Sequence, residues 1–341
     1  MPQFTLDKQD GKLMSIVESS NLVAATKTAF VFPGQGSQKV GMLADLAEKF
    51  SSVEATFAEA SEAVGFDLWQ IAQSGEGLNQ TEFTQPVLLT ASIALWRVWL
   101  ELGGVVPKYL AGHSLGEYSA LVAAGALSLG DAAKLVNLRG KLMQDAVPQG
   151  QGAMAAILGL DDAKVVELCQ TASAAGEGSV EAANYNAQGQ VVVAGATAKV
   201  EAVMAAAKEA GGKAIALPVS VPSHCSLMKP AAEKFAEALA QTQIEMPNIP
   251  VLQNVNAAAA TDVAALRQAL TEQLYESVQW TKTLQLLQDQ GIQYIAECGP
   301  GNVLTNLAKR LPNIEKAFPL DTQSRMEDAL NAILIAEGKI A

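Results

Sequence analysis

The stretch KYLAGHSLG, Lys108–Gly116, decides the fold. Its first half reads as a short strand, the residues from Gly116 onward read as a helix, and Ser114 sits on the turn between them. Gly112-His113-Ser114-Leu115-Gly116 therefore matches G-x-S-x-G in the strand–turn–helix context of a nucleophile elbow. Such a turn is so tight that the residues two before and two after the serine must be small, and it pushes the serine Oγ into the open at a helix N-terminus. The backbone N–H of Leu115 then points to where an oxyanion would form. The bland alternative is a glycine-flanked structural turn, because so short a pattern is weak by itself.

Upstream, TAFVF (Thr28–Phe32) is a strand that runs straight into PGQGSQ, and Pro86–Leu102 reads as a buried helix opened by its proline. Downstream, helices are expected over Gly116–Ala126 and Gly130–Ala146. The texture then changes. Strands at Ala153–Leu158, Val180–Asn184, Gln190–Ala194 and Lys213–Val219 alternate with helices at Asp161–Ser173 and Thr197–Ala210. That βαββαβ order is the split-βαβ signature of a ferredoxin-like unit. After it the α/β rhythm resumes, which implies a mainly parallel sheet with helices on both faces. The expected organisation is a loose N-terminal extension over residues 1–27, an α/β core from residues 28–149 and 220–341, and an inserted ferredoxin-like subdomain over residues 150–219.

Composition narrows the function. The chain has 341 residues, half of them hydrophobic, which suits one large core with a satellite unit. Lys+Arg is 23 against Asp+Glu 35, a formal net charge of -12, which demotes nucleic-acid binding and means that an acidic partner needs a local basic patch. No apolar run reaches the ~18 residues of a membrane span, and no signal peptide is read at the N-terminus, so a cytoplasmic protein with no membrane contact is expected. Met14 is a possible true start. Three cysteines without CxxC spacing argue against disulfides and zinc, and no metal site is expected.

A serine nucleophile needs a base, and the chain has two histidines, His113 and His224. His113 leaves the elbow in another direction and reads as a packing or hydrogen-bonding neighbour. His224 follows Val219-Ser220-Val221-Pro222-Ser223 at the junction after the inserted unit, a good place for a catalytic residue. No acid is marked out as a third member, which leaves a Ser–His dyad oriented by a backbone carbonyl as an option. The loop Gly34-Gln35-Gly36 fails both the dinucleotide and the Walker A spacing, but Gln35 lies on the same rim as the elbow and could serve an oxyanion hole. Arg139 stands in an apolar helical stretch, LVNLRGKLM; it is either a solvated helix-face arginine or a carboxylate clamp returning toward Ser114. Cys225, beside His224, offers a cysteine-nucleophile alternative without an elbow.

Together the segments FVFPGQGSQ at 30–38, GHSLGEYSAL at 112–121, LRGKLMQ at 138–144, GAMAAILGL at 152–160, NYNAQGQVVVAG at 184–195, VSVPSHCSLMKP at 219–230, QLYESVQWTKTL at 273–284 and ECGPGNVLTNL at 297–307 resemble the malonyl-CoA:acyl-carrier-protein transacylase family. The resemblance implies an α/β-hydrolase-like core with a ferredoxin-like subdomain. It implies transfer of malonyl from malonyl-CoA to the phosphopantetheine thiol of holo acyl carrier protein, by a ping-pong malonyl-serine mechanism that supplies fatty-acid elongation. In that reading Ser114 is the nucleophile, His224 its base and acid, Arg139 the binder of the malonyl carboxylate, and Leu115 and Gln35 the oxyanion-hole donors. Gln273 is the residue whose backbone carbonyl orients the histidine. No cofactor is implied, the carrier contact is transient, and a monomer is expected. VPSH favours malonyl over methylmalonyl, and Ser277 stands where the family commonly has proline. Lys309 and Arg310 are candidates for the basic docking patch. A polyketide carrier and a serine thioesterase on the same core are the alternatives.

Overall fold

The computed structural model describes residues 23–219 and 221–340. The expected extension up to residue 22, with Met14, lies outside the described residues, as does Ser220. Nine strands are seen among the described residues: β1 (Ala24–Phe32), β2 (Val106–Gly112), β3 (Gly152–Leu158), β4 (Val180–Ala187), β5 (Gln190–Ala196), β6 (Lys213–Ala216), β7 (Val251–Leu252), β8 (Tyr294–Glu297) and β9 (Lys316–Pro319). They form two sheets. One is entirely parallel, in the order β7-β2-β1-β8-β9. The other is antiparallel, in the order β4-β5-β3-β6.

The parallel sheet is apolar on both faces, which is why TAFVF shows no alternation in sequence. Phe30 and Phe32 enter the core on one face, with Trp96 and Trp99 edge-on to Phe30 at 5.6 and 5.1 Å. Ala29 and Val31 enter a second core with Ala111, Trp280 and Ile295. β1 begins at Ala24, where Ala24 pairs with Val106, four residues before the strand expected from sequence.

The antiparallel sheet holds the helices Asp162–Ala174 and Thr197–Glu209 against one face through Ile157, Val165, Val193 and Val203. Its other face packs Met154, Ala183 and Val192 on Cys225. The strand order and pairing are those of the ferredoxin-like arrangement expected from the βαββαβ pattern.

The proline-opened helix is corrected. The helix runs Thr81–Glu101 with Pro86 inside it. Proline lacks the N–H that would have bonded the Glu82 carbonyl four residues back. Asn137 Nδ2 donates to that carbonyl at 2.8 Å instead, so the orphaned acceptor is satisfied from the neighbouring helix, Leu129–Ala146. That helix starts on the Ser128 cap, whose Oγ accepts from Asp131 N at 3.0 Å, and it carries Arg139 inward.

Candidate active site

Three adjacent parallel strands deliver residues to one rim at their carboxyl ends, the usual location of sites in open α/β sheets. Gln35 follows β1, Ser114 follows β2, and Asn254 follows β7. The elbow at Ser114 is forced by excluded volume. A Cβ on Gly112 would lie 1.8 Å from the Gly116 carbonyl carbon, and one on Gly116 would lie 2.0 Å from the Phe32 carbonyl oxygen. Ser114 is thereby held at φ 52°, in the left-handed region that side chains other than glycine rarely adopt.

Hydrogen bonds then lock the turn. Ser114 N–H donates to Asn254 Oδ1 at 2.7 Å, and Asn254 Nδ2 donates to the Gly112 carbonyl at 2.6 Å. The serine's own N–H is thus occupied. Among the described residues the N–H groups of Leu115 and Gln35 find no acceptor, which leaves them free for an oxyanion. A Cβ on Gly34 would lie 2.6 Å from the His113 carbonyl, so the Gln35 loop sits directly against the elbow.

Ser114 Oγ lies 2.7 Å from His224 Nε2, and His224 Nδ1 lies 2.7 Å from the Gln273 carbonyl. A carbonyl accepts only, so Nδ1 carries the hydrogen and Nε2 is the free acceptor facing the hydroxyl. Burial, reinforced by Arg139, pushes His224 down to about 3, so its imidazole is neutral near pH 7. Arg139 is fully buried and reaches the same hydroxyl: Nη2 is 3.2 Å from Ser114 Oγ and 3.0 Å from Gln273 Oε1, while Nη1 is 2.9 Å from Gln85 Oε1. Its Nε has no partner, and Arg139 makes no ion pair among the described residues. The alternative of a solvated helix-face arginine is overturned.

The other candidates fall to the side. His113 Nε2 lies 2.7 Å from Asn186 Oδ1 and its ring leans on Trp280, away from the hydroxyl. Cys225 is buried with its Sγ on the Pro222 carbonyl, and burial pushes the thiol up to about 12, so no thiolate forms near neutrality. Ser277 donates Oγ–H to the Ala182 carbonyl at 2.6 Å, a bond that proline at this position would lack. Among the described residues no group of His, Cys, Asp and Glu is arranged to hold a metal ion, and no helix is long and apolar enough to cross a membrane.

Sequence reasoning missed three residues of this cluster: Gln85, Asn254 and Glu117. Asn254 carried a signal, a polar residue just past a parallel strand. Glu117 looked like an ordinary acidic residue in a helix first turn. Nothing in the sequence marked Gln85, which lies inside a long apolar helix.

Residues 29–315 match the family model described as the acyl transferase domain. The chain is 54% identical over 308 residues to the malonyl CoA-acyl carrier protein transacylase of Salmonella typhimurium, covering 89% of this chain and 99% of that protein. The crystal structure of FabD from Acinetobacter baumannii is 81% identical with a TM-score of 0.91, covering 92% of this chain and 99% of that one. A malonyl-transacylase solved in complex with a type II PKS acyl-carrier protein is 49% identical with a TM-score of 0.87, covering 90% of this chain and 99% of that one. With a family model spanning most of its length and relatives this similar, the chain belongs to the malonyl CoA-acyl carrier protein transacylase family of acyl transferases.

Proposed function

We propose that the chain transfers a malonyl group from malonyl-CoA to the phosphopantetheine thiol of acyl carrier protein through a malonyl-Ser114 intermediate. The observation that carries this reading is Arg139, a guanidinium 1% exposed, without a carboxylate partner among the described residues, beside Ser114 Oγ. Burying such a charge unpaired costs several kcal/mol. A carboxylate on the acyl group supplies the missing anion. In malonate that carboxylate is one carbon from the thioester carbonyl, so holding it at Arg139 leaves the carbonyl at Ser114 Oγ.

His224 Nε2 takes the Ser114 proton as Oγ attacks the thioester. The oxyanion is held by the Leu115 and Gln35 N–H groups, the C–S bond breaks, and the departing CoA sulfur takes the proton back from Nε2. The phosphopantetheine thiol then gives its proton to Nε2 and attacks the malonyl ester, and Ser114 leaves with that proton. The Gln273 carbonyl keeps the imidazole in one tautomer throughout, in place of an acid. These steps need proton transfer and hydrogen bonding alone, with no resident cofactor. A serine thioesterase shares the dyad but has no use for the buried cation.

The carrier is taken to be that of fatty-acid elongation, met transiently by a monomer in the cytoplasm. The exposed Lys309 and Arg310, past the helix Val303–Ala308, are the proposed contact for its acidic surface. The relative solved with a type II PKS carrier supports a polyketide carrier as the second reading. Residues 150–219 are proposed as an inserted subdomain that brings Asn186 to His113 and braces the loop carrying Gln273.

The test is incubation with malonyl-CoA, an acid quench, and intact and peptide mass measurement. The expected result is a malonyl adduct on the Ser114 peptide, absent in Ser114→Ala and discharged by holo acyl carrier protein. Malonate and free CoA without transfer would overturn the transferase in favour of the hydrolase. Transfer to a polyketide carrier and not to the fatty-acid carrier would decide for the second reading.

A further inference from the structure

One buried carboxylate at the centre of the site has no part in the chemistry above. Glu117, in the first turn of the elbow helix Gly116–Ala123, is fully buried. Its Oε2 accepts from Gln273 Nε2 at 2.9 Å and from Asn254 N–H at 2.9 Å, and its Oε1 has no partner among the described residues. Gln273 Nε2 also donates to the Ser114 carbonyl at 3.0 Å.

A glutamine amide can sit either way round, and its neighbours decide which. Arg139 offers only donors on one side of Gln273, while Glu117 and the Ser114 carbonyl offer only acceptors on the other. A flipped amide would set its NH2 against the guanidinium and its oxygen against two oxygens. Glu117 therefore specifies the orientation of the residue whose main-chain carbonyl holds His224. The amide also stands between Glu117 and Arg139, where a direct ion pair would otherwise consume the guanidinium.

We propose that Glu117 is a positioning residue: through the Gln273 amide it keeps the Gln273 carbonyl on His224 Nδ1, while the amide it orients keeps Arg139 free for an incoming carboxylate. The second half rests on the malonyl-transfer reading; the first does not. What matters is the acceptor oxygen. Burial pushes Glu117 up to about 7 against the opposing pull of the Arg139 charge. A proton taken up on the unpartnered Oε1 leaves Oε2 accepting both bonds. Glutamine at this position keeps such an oxygen, whereas methionine keeps the bulk and loses it.

The test compares Glu117→Gln, Glu117→Met and Gln273→Met in the full chain. With two histidines in the sequence, a 15N-histidine spectrum reports His224 directly. In Glu117→Met the hydrogen-bonded Nδ1–H signal should shift or broaden away, and Ser114 acylation should slow about 10–100-fold with KM for malonyl-CoA changed less than about threefold. Gln273→Met should shift the His224 signal and slow acylation likewise and, with the amide gone and Glu117 free to pair with Arg139, raise KM for malonyl-CoA more than about threefold, while Glu117→Gln should restore signal and rate to within about threefold of wild type. An unchanged His224 signal and rate in a folded Glu117→Met protein would overturn the proposal. So would Glu117→Gln behaving like Glu117→Met. If Glu117→Met does not fold, an unchanged His224 signal in Gln273→Met overturns it instead. Failure of wild-type protein to take malonyl would sink the functional reading and leave the His224 spectrum, with fluorophosphonate labelling of Ser114 as the rate, to judge Glu117.

Discussion

The loop that carries Ser114 and the loop that carries His224 both place a non-glycine residue in the left-handed region, at φ 52° and 61°. They are held there by different means. Around Ser114 the constraint is mainly volume: Gly112 packs on the Gly116 backbone within the turn, and Gly116 packs on the Phe32 carbonyl of the neighbouring strand. Around His224 the constraint comes from elsewhere in the chain. His224 N–H donates to the Leu274 carbonyl at 3.0 Å, and its ring meets the carbonyl of Gln273, 49 residues on. That second segment is itself pinned to β4, with Val278 N–H on the Ala183 carbonyl and Tyr185 N–H on the Val278 carbonyl, both at 2.9 Å. The placement of Ser114 is thus a property of a motif, and that of His224 is a property of how three separate segments pack.

Substitutions on the two sides should therefore fail differently. The largest effect is expected for Gly112→Ala. Its methyl overlaps Gly116 backbone that has nowhere to go, so stability should fall by more than about 4 kcal/mol, read from urea midpoints. A soluble Gly112→Ala protein with a wild-type midpoint would erase the distinction. On the other side, His224→Gly removes the base and relieves the positive φ. Acylation should fall about 10³–10⁴-fold while stability drops less than about 2 kcal/mol. A collapse in stability as large as that of Gly112→Ala would show that the base loop is as rigidly determined as the elbow.

Arg139→Ala sharpens the comparison by separating substrate from chemistry. kcat/KM for malonyl-CoA should fall about 10²–10³-fold, while transfer from acetyl-CoA should stay within about tenfold of wild type, both measured by CoA release. Equal losses on the two substrates would make the arginine part of the frame alone.

The smallest expected effect is one of pH. With His224 pushed down to about 3, the acylation rate should stay level from about pH 8 to about pH 5, with no inflection near the ordinary histidine value of ~6.5. The folded value lies below the unfolded one, so on acidification the unfolded chain takes the proton first. The His224 contribution to stability is therefore present above about pH 6.5 and lost as pH falls toward about 3. A rate inflection at ~6.5 would mean that the imidazole is solvated and set by its loop alone.

The elbow was legible in sequence because its determinants, Gly112 and Gly116, flank the serine they constrain. The ferredoxin-like unit was legible because its order of strands and helices is written along one continuous segment. In the interior of the site, His224, Gln35 and Arg139 stood out from the residues only as candidates beside bland alternatives, and Gln273 was named through resemblance alone. No spacing rule places Arg139 on the same hydroxyl as His224, or Gln273 behind that histidine, since each comes from a different segment. The Thr81–Glu101 helix was misread at Pro86 for the same reason: the donor that excuses the proline, Asn137, lies on another helix.

By itself, then, the amino-acid sequence determined the strand–turn–helix at Ser114, the parallel core strands and the inserted βαββαβ unit, all of which follow from short-range sterics and from which faces are apolar. Tertiary structure alone decided that Glu117 is a buried acceptor and not a solvated helix-end acid, that Asn254 occupies the Ser114 N–H, and that Arg139 is buried with no ion pair among the described residues. Those outcomes depend on which polar groups find partners once water is excluded. That matching takes place between segments more than a hundred residues apart, beyond the reach of any local pattern.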